Sequence, residues 1–166
     1  MFREMRRKKQ QLTDEEAVLI LKNASSGVLA LSGDDGYPYA VPLSFVYDNS
    51  KIYFHCAKTG HKIDAVKRNN KASFCVIERD DVVAKKFLTL YRSVIVFGKT
   101  RILEDDDEKR RAIEILAKKY SPNLKSEREE EIEKDFDRLC MIEMTVEHIT
   151  GKEALELTLE KTCNKD

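Results

Sequence analysis

Residues 51–66 read Lys51-Ile52-Tyr53-Phe54-His55-Cys56-Ala57-Lys58-Thr59-Gly60-His61-Lys62-Ile63-Asp64-Ala65-Val66. Up to Ala57 the apolar Ile52 and Phe54 alternate with Tyr53 and His55, the two-residue period of a strand covered on one face. Ile63, Ala65 and Val66 then follow at helical spacing. A strand therefore runs into a short helix through a basic turn that contains a glycine. Phosphate groups are held by cationic side chains, a hydroxyl donor and backbone N–H groups at a helix N-terminus. Lys58, Thr59, Gly60, His61 and Lys62 offer all of these within five residues. The same pattern also describes an ordinary solvated turn. His55, at the strand's end, reads either as a half-exposed sheet histidine or as a ligand contact beside the turn.

Upstream, Thr13-Asp14-Glu15-Glu16 is a capping box, and Ala17, Val18, Ile20 and Leu21 continue it as a helix to about Ala24. Val28–Leu31 is a short strand, and Asp34-Asp35-Gly36 a hairpin turn in which Gly36 supplies a positive φ. Tyr37 to Tyr47 reads as one strand. Pro38 and Pro42 lie inside it, so it must bulge or turn those positions away from a neighbour. Downstream come a strand over 72–78, a polar connection over 80–86 and a long β-rich stretch over 87–103. An acidic helix start at Glu104–Asp107 leads into a helix that stops near Ser121-Pro122. Residues 125–138 read as a mostly solvated helix and 139–149 as the last strand. The tail from Gly151 reads as a short strand or loose chain. Hairpins predominate over alternating strand–helix units, which favours a small antiparallel barrel flanked by helices.

The chain has 166 residues, enough for one core, with 30 Lys plus Arg against 30 Asp plus Glu. That zero net charge argues against a nucleic-acid partner. No apolar stretch of roughly 18 residues is present, so no membrane span is expected. Met1–Gln10 is basic but no apolar run follows it. No secretory signal is therefore expected, and the reading is cytoplasmic with reduced thiols. The arm itself reads as solvated chain, or as a segment packed on a partner subunit or an anionic ligand. Cys56, Cys75, Cys140 and Cys163 have no paired spacing, and His148 is remote from His55 and His61, so no metal site is expected. No GxSxG, GxGxxG or P-loop motif is present.

Three ordered segments resemble a known family: residues 37–47, residues 52–57, and Gly60-His61-Lys62-Ile63-Asp64. They are similar to the flavin-binding split barrels related to pyridoxamine 5′-phosphate oxidase, most of all to the 5-nitroimidazole-resistance branch. Tyr91-Arg92-Ser93-Val94-Ile95-Val96-Phe97-Gly98 and the segment through Tyr120-Ser121-Pro122 match that branch too, so the likeness covers about residues 6–150. The resemblance implies a six-stranded antiparallel split β-barrel that forms a homodimer and holds FMN at the subunit interface. The whole of 1–166 would be one such domain, with a basic arm over 1–10 and a tail over 151–166.

Position by position, Val41, Pro42, Leu43 and Ser44 resemble the strand along the isoalloxazine edge. His55 and Cys56 resemble the pair beside the flavin ring and ribityl chain. His61 and Lys62 resemble the phosphate-holding pair, with Lys58 and Thr59 adding a charge and a hydroxyl. Ser93 resembles a polar flavin contact offered by the second subunit. The oxidase proper carries an Arg-rich strand before the turn, where this chain has Val41-Pro42-Leu43-Ser44. It also carries a C-terminal Arg and His pair, which Glu160-Lys161-Thr162-Cys163-Asn164-Lys165-Asp166 lacks. The expected function is therefore an FMN-dependent oxidoreductase acting on small nitroaromatic or related acceptors. His55 is the candidate proton donor or substrate contact, an imidazole being the side chain that trades protons most readily near neutrality. The alternative is a non-catalytic flavin or haem binder, with His55 or His148 as axial ligand.

Overall fold

The computed structural model describes residues 1–163. Among these, seven strands occur: β1 (Ser26–Ser32), β2 (Pro38–Ser44), β3 (Val46–Asp48), β4 (Lys51–Ala57), β5 (Lys71–Val83), β6 (Leu88–Ile102) and β7 (Leu139–Glu153). They form one sheet in the order β2-β1-β5-β6-β7-β4-β3, and every neighbouring pair is antiparallel. The helices are α1 (Asp14–Asn23), α2 (His61–Arg68), α3 (Asp106–Tyr120), α4 (Lys125–Asp135) and α5 (Leu155–Cys163).

The order closes the sheet. β2 and β3 lie at opposite edges, yet only Phe45 separates them along the chain. One residue spans at most about 3.6 Å, so the sheet must curl until its edges meet. The side chain of Phe45 is fully buried, 4.7 Å from the ring of Phe74, which in turn lies 5.2 Å from Phe54. The end of α3 supplies the partners its backbone lacks in a ladder. The Phe45 N–H donates to Tyr120 Oη at 2.9 Å, and Lys119 Nζ donates to the Phe45 carbonyl at 2.9 Å. The Tyr120 hydroxyl donates in turn to the Ser25 carbonyl. The stretch read as one strand over 37–47 is therefore two, and the expected six strands are seven. The corner residue leaves the ladder because its ring must enter the core while its backbone changes edges.

Pro38 and Pro42 sit on β2, an edge strand, where the missing N–H costs no second ladder. Gly36 and Asp35 both have positive φ at the β1–β2 turn, 80° and 53°. β7 is covered on both sides over its first half. Cys140, Ile142 and Met144 enter the barrel core, while Met141 packs with Val46, Ala112, Leu116 and Ile132 beneath α3 and α4.

Three further expectations change. Residues 80–86 are not a loose connection: β5 and β6 pair on to Val83–Leu88, and the turn passes through Phe87 at φ 51°. This ribbon is largely solvated, so its sequence is polar although its backbone is a strand. β7 runs on to Glu153, and α5 follows with Leu157 buried, so the tail is neither short strand nor loose over its described part; residues 164–166 lie outside it. The basic arm packs on its own chain, through a short 3₁₀ turn at Lys8–Gln10 and a buried Gln10. No helix of the described residues is long and apolar enough to cross a membrane.

Candidate functional site

β4 places His55 and Cys56 on opposite faces. Ile52 and Phe54 point into the core, so His55 is exposed on the outer face and Cys56 is half-buried, opposite Cys140 on β7. Burial, with the neighbouring Cys140 adding to it, pushes the Cys56 thiol up to about 11, against a smaller opposing pull from Lys62. A thiol of that kind stays protonated at neutral pH, which makes it a poor nucleophile.

Past Ala57 the chain leaves the sheet through exposed Lys58, Thr59 and Gly60. Gly60 is the N-cap of α2 and has φ 116°, a conformation that disfavours any side chain. It brings no side-chain cap, and its carbonyl takes the Ile63 and Asp64 N–H groups at 2.9 and 3.2 Å. The N–H groups of His61 and Lys62 lie ahead of these, in the part of a helix that has no intrahelical acceptor. Ile63, Ala65 and Val66 anchor the helix in the core, so this end is held rigidly at the surface. The result is an uncapped helix start carrying Lys58 and Lys62, and its donors and charge fit a phosphate group.

His61 is fixed from the side. Its ring stacks on Tyr39 of β2, with centroids 4.1 Å apart, and its Nε2 lies 3.5 Å from Asp34 Oδ2. Arg68 grips Asp34 at 2.6 Å and holds that carboxyl below its ordinary range; it also donates to the Gly33 carbonyl at 3.1 Å. Both ends of α2 are thereby tied to the β1–β2 hairpin. On β2 itself, Val41 and Leu43 pack against the barrel core, whereas Pro42 and Ser44 are exposed.

The structure brings Ser44 and His55 together in a cavity of about 490 Å³, within the ordinary size range of small-molecule sites. Its roof is α3 and α4: Ile113, Leu116, Ala117, Tyr120, Leu124 and Ile132, with Glu127, Arg128, Glu131 and Asp135 at the rim. Residues 58–62 are not among its lining, so within one protomer the cationic turn and the cavity are neighbouring features, joined by the end of β4. Ser93 lies elsewhere, on the outer face of β6, two strands from β4 and three from β2.

Sequence reasoning missed Tyr39, Asp34 and Tyr120 as parts of this region. Tyr39 and Asp34 carry a weak signal, an aromatic on an edge strand and an acid in a turn. Tyr120 was legible only as a helix end.

The model of a family described as pyridoxamine 5′-phosphate oxidase matches residues 13–153. Among solved structures, the chain is similar to a proposed 5-nitroimidazole antibiotic resistance protein from Bacteroides thetaiotaomicron, at 23% identity and TM-score 0.69 over 86% of each chain. It is similar to a FAD-binding protein from Mesorhizobium loti at 23% identity and TM-score 0.64, covering 87% of this chain and 97% of that one. It is also similar to a FAD- and haem-binding protein from Mycobacterium smegmatis at 21% identity and TM-score 0.73, covering 88% and 73%. At these identities the likeness is one of fold. No curated protein matches.

Proposed function

The chain belongs to the pyridoxamine 5′-phosphate oxidase family, and on that premise we propose that it is an FMN-dependent oxidoreductase for small nitroaromatic or related acceptors. The observation that carries this reading is the uncapped, glycine-started N-terminus of α2 with Lys58 and Lys62 beside it. The phosphate of FMN would be held there by the two ammonium groups, the Thr59 hydroxyl and the His61 and Lys62 N–H groups. The edge strand β2 has one backbone row without a ladder partner, and residues 41–44 would offer it to the rim of the ring system. Such N–H groups stabilise charge that develops on a polar ring edge. Bound flavin supplies the electron chemistry, and the protein positions and tunes it.

His55 would face the acceptor. It opens into the cavity under α3 and α4, whose apolar roof would pack against a flat, weakly polar guest. A proton delivered from its imidazole would neutralise charge on a reduced acceptor. The nitro-compound reading draws on the resistance protein of similar fold. His55→Ala should lower the reduction rate for a 5-nitroimidazole about a hundredfold, the scale of losing a positioned proton donor. Any loss of FMN affinity from the ring contact is separated from this by measuring the rate with FMN saturating. A rate equal to wild type, measured in steady state with FMN saturating, would remove His55 from the chemistry.

Ser93 would serve the flavin of a second copy. Val28, Ile77, Ile95 and Phe97 leave apolar surface exposed on the outer face that includes Ser93. A second reading, haem or flavin binding without turnover, is favoured by one observation: among the described residues the buried Nε2 of His148 has no hydrogen-bond partner. A Soret band that appears on adding haem to wild type and is lost in His148→Ala would support it.

A further inference from the structure

The basic N-terminal arm builds a feature that the flavin site does not use. Where it crosses the outer face of β6 and β7, Met5, Arg6, Arg7, Tyr91 and Lys152 line a cavity of about 430 Å³. The cavity is organised from beneath by Gln10, only 6% exposed. Its Nε2 donates to Tyr91 Oη at 3.3 Å and to the Glu153 carbonyl at 3.1 Å, and its Oε1 lies 3.5 Å from Arg7 Nη1. The backbone is pinned at the same place, by a bridge between Gln11 and Lys152 and by the Leu12 N–H on the Gly151 carbonyl at 3.0 Å. Lys152 Nζ stands 5.2 Å over the Tyr91 ring.

Among the described residues Arg6, Arg7 and Lys152 form no ion pair, because the nearby acids are taken. Glu4 pairs with Lys8 at 2.8 Å, and Glu153 with Arg92 at 3.0 Å and Lys161 at 2.9 Å. Three like charges converging on one hollow repel each other, and an anion relieves that repulsion. Guanidinium forks match phosphoryl oxygens in pairs, and the space exceeds what a lone phosphate fills. Lys152 also faces Ser93 across the β6–β7 ladder.

We propose that this cavity is a second anion site, which holds the diphosphate of a nucleotide through Arg6, Arg7 and Lys152. The site is separate from the turn at 58–62 and does not depend on what binds there. The diphosphate has two chemical sources, a free nucleoside diphosphate and a nicotinamide dinucleotide electron donor.

The probe is ADP, titrated calorimetrically into the full-length protein at low salt, with wild type compared with the Arg6→Gln/Arg7→Gln/Lys152→Gln variant. Wild type should bind ADP, and the variant should bind it at least about tenfold more weakly, as expected when charge-assisted bonds are lost. FMN affinity and the melting temperature should hold. An NADPH titration then separates the sources. A fall for NADPH as large as that for ADP identifies the dinucleotide donor, and NADPH unmoved while ADP falls identifies the free nucleotide; either supports the site. ADP affinity unchanged in the variant, no ADP binding by wild type, or an equal fall in FMN affinity would overturn it. Lys152→Gln alone leaves the arm intact and should give a smaller loss in the same direction, whereas no loss would count against the proposal.

Discussion

At the scale of single residues, the site rests on how Gly60 leaves a helix end open. A serine or aspartate N-cap would satisfy one of the first amides itself, whereas Gly60 at φ 116° satisfies none and turns them outward. Lys62, the second residue of that helix, adds charge to the same end. Lys62→Ala should weaken FMN by about 1–3 kcal/mol, the range for losing a charge-assisted hydrogen bond. Fluorescence titration reads this directly, and an unchanged Kd would move the phosphate to other residues. This turn was legible in the sequence because everything it needs is contiguous. The grip of Tyr39 and Asp34 on His61 was not. Those contacts join residues 22 and 27 positions apart, and no local period encodes which ring lies over which.

At the scale of elements, legibility followed periodicity. The capping box of α1 forms both of its reciprocal bonds, with Glu16 N–H on Thr13 Oγ1 at 3.2 Å and Thr13 N–H on Glu16 Oε2 at 2.9 Å. The break between β2 and β3 was hidden, because Val41, Leu43 and Phe45 keep the two-residue period up to the corner, and the adjacent apolar pair Phe45-Val46 is its one local sign. Only the closing of the barrel demands a corner there. The β7 strand carries a further constraint. Glu143, 3% exposed, accepts from Arg101 Nε and Lys51 Nζ, each at 2.9 Å. Burial works to raise its pKa, but Arg101 and Lys51 outweigh it and hold the carboxyl below the ordinary 4.5. A depressed folded pKa means stability that is complete above about 4.5 and is lost as the pH falls below that value. The urea midpoint of wild type should therefore drop more steeply under pH 4.5 than that of Glu143→Gln. At neutral pH the variant should be less stable by about 1–3 kcal/mol, the range for a hydrogen bond to a charged group. Parallel curves would show that the carboxylate contributes nothing to the acid limb.

At the scale of the whole molecule, one chain keeps the proposed parts of the flavin site apart. The cationic turn sits at one end of β4, the cavity lies under α3 and α4, and Ser93 is on β6, two strands from β4. On the proposed reading a second copy docks on the apolar outer face and offers its Ser93 to the flavin, so that assembly and cofactor binding would be coupled. Ile95→Asp, placed in that face, should convert a dimer to a monomer in light scattering and weaken FMN at the same time; a variant that stays dimeric would put the interface elsewhere. The central claim is that this fold holds FMN. The most direct measurement is the absorbance spectrum of the purified protein before and after adding FMN, with mass spectrometry of the ligand it releases. The account expects a yellow protein whose released ligand has the mass of FMN. A colourless protein that retains no FMN after saturation and desalting would contradict it.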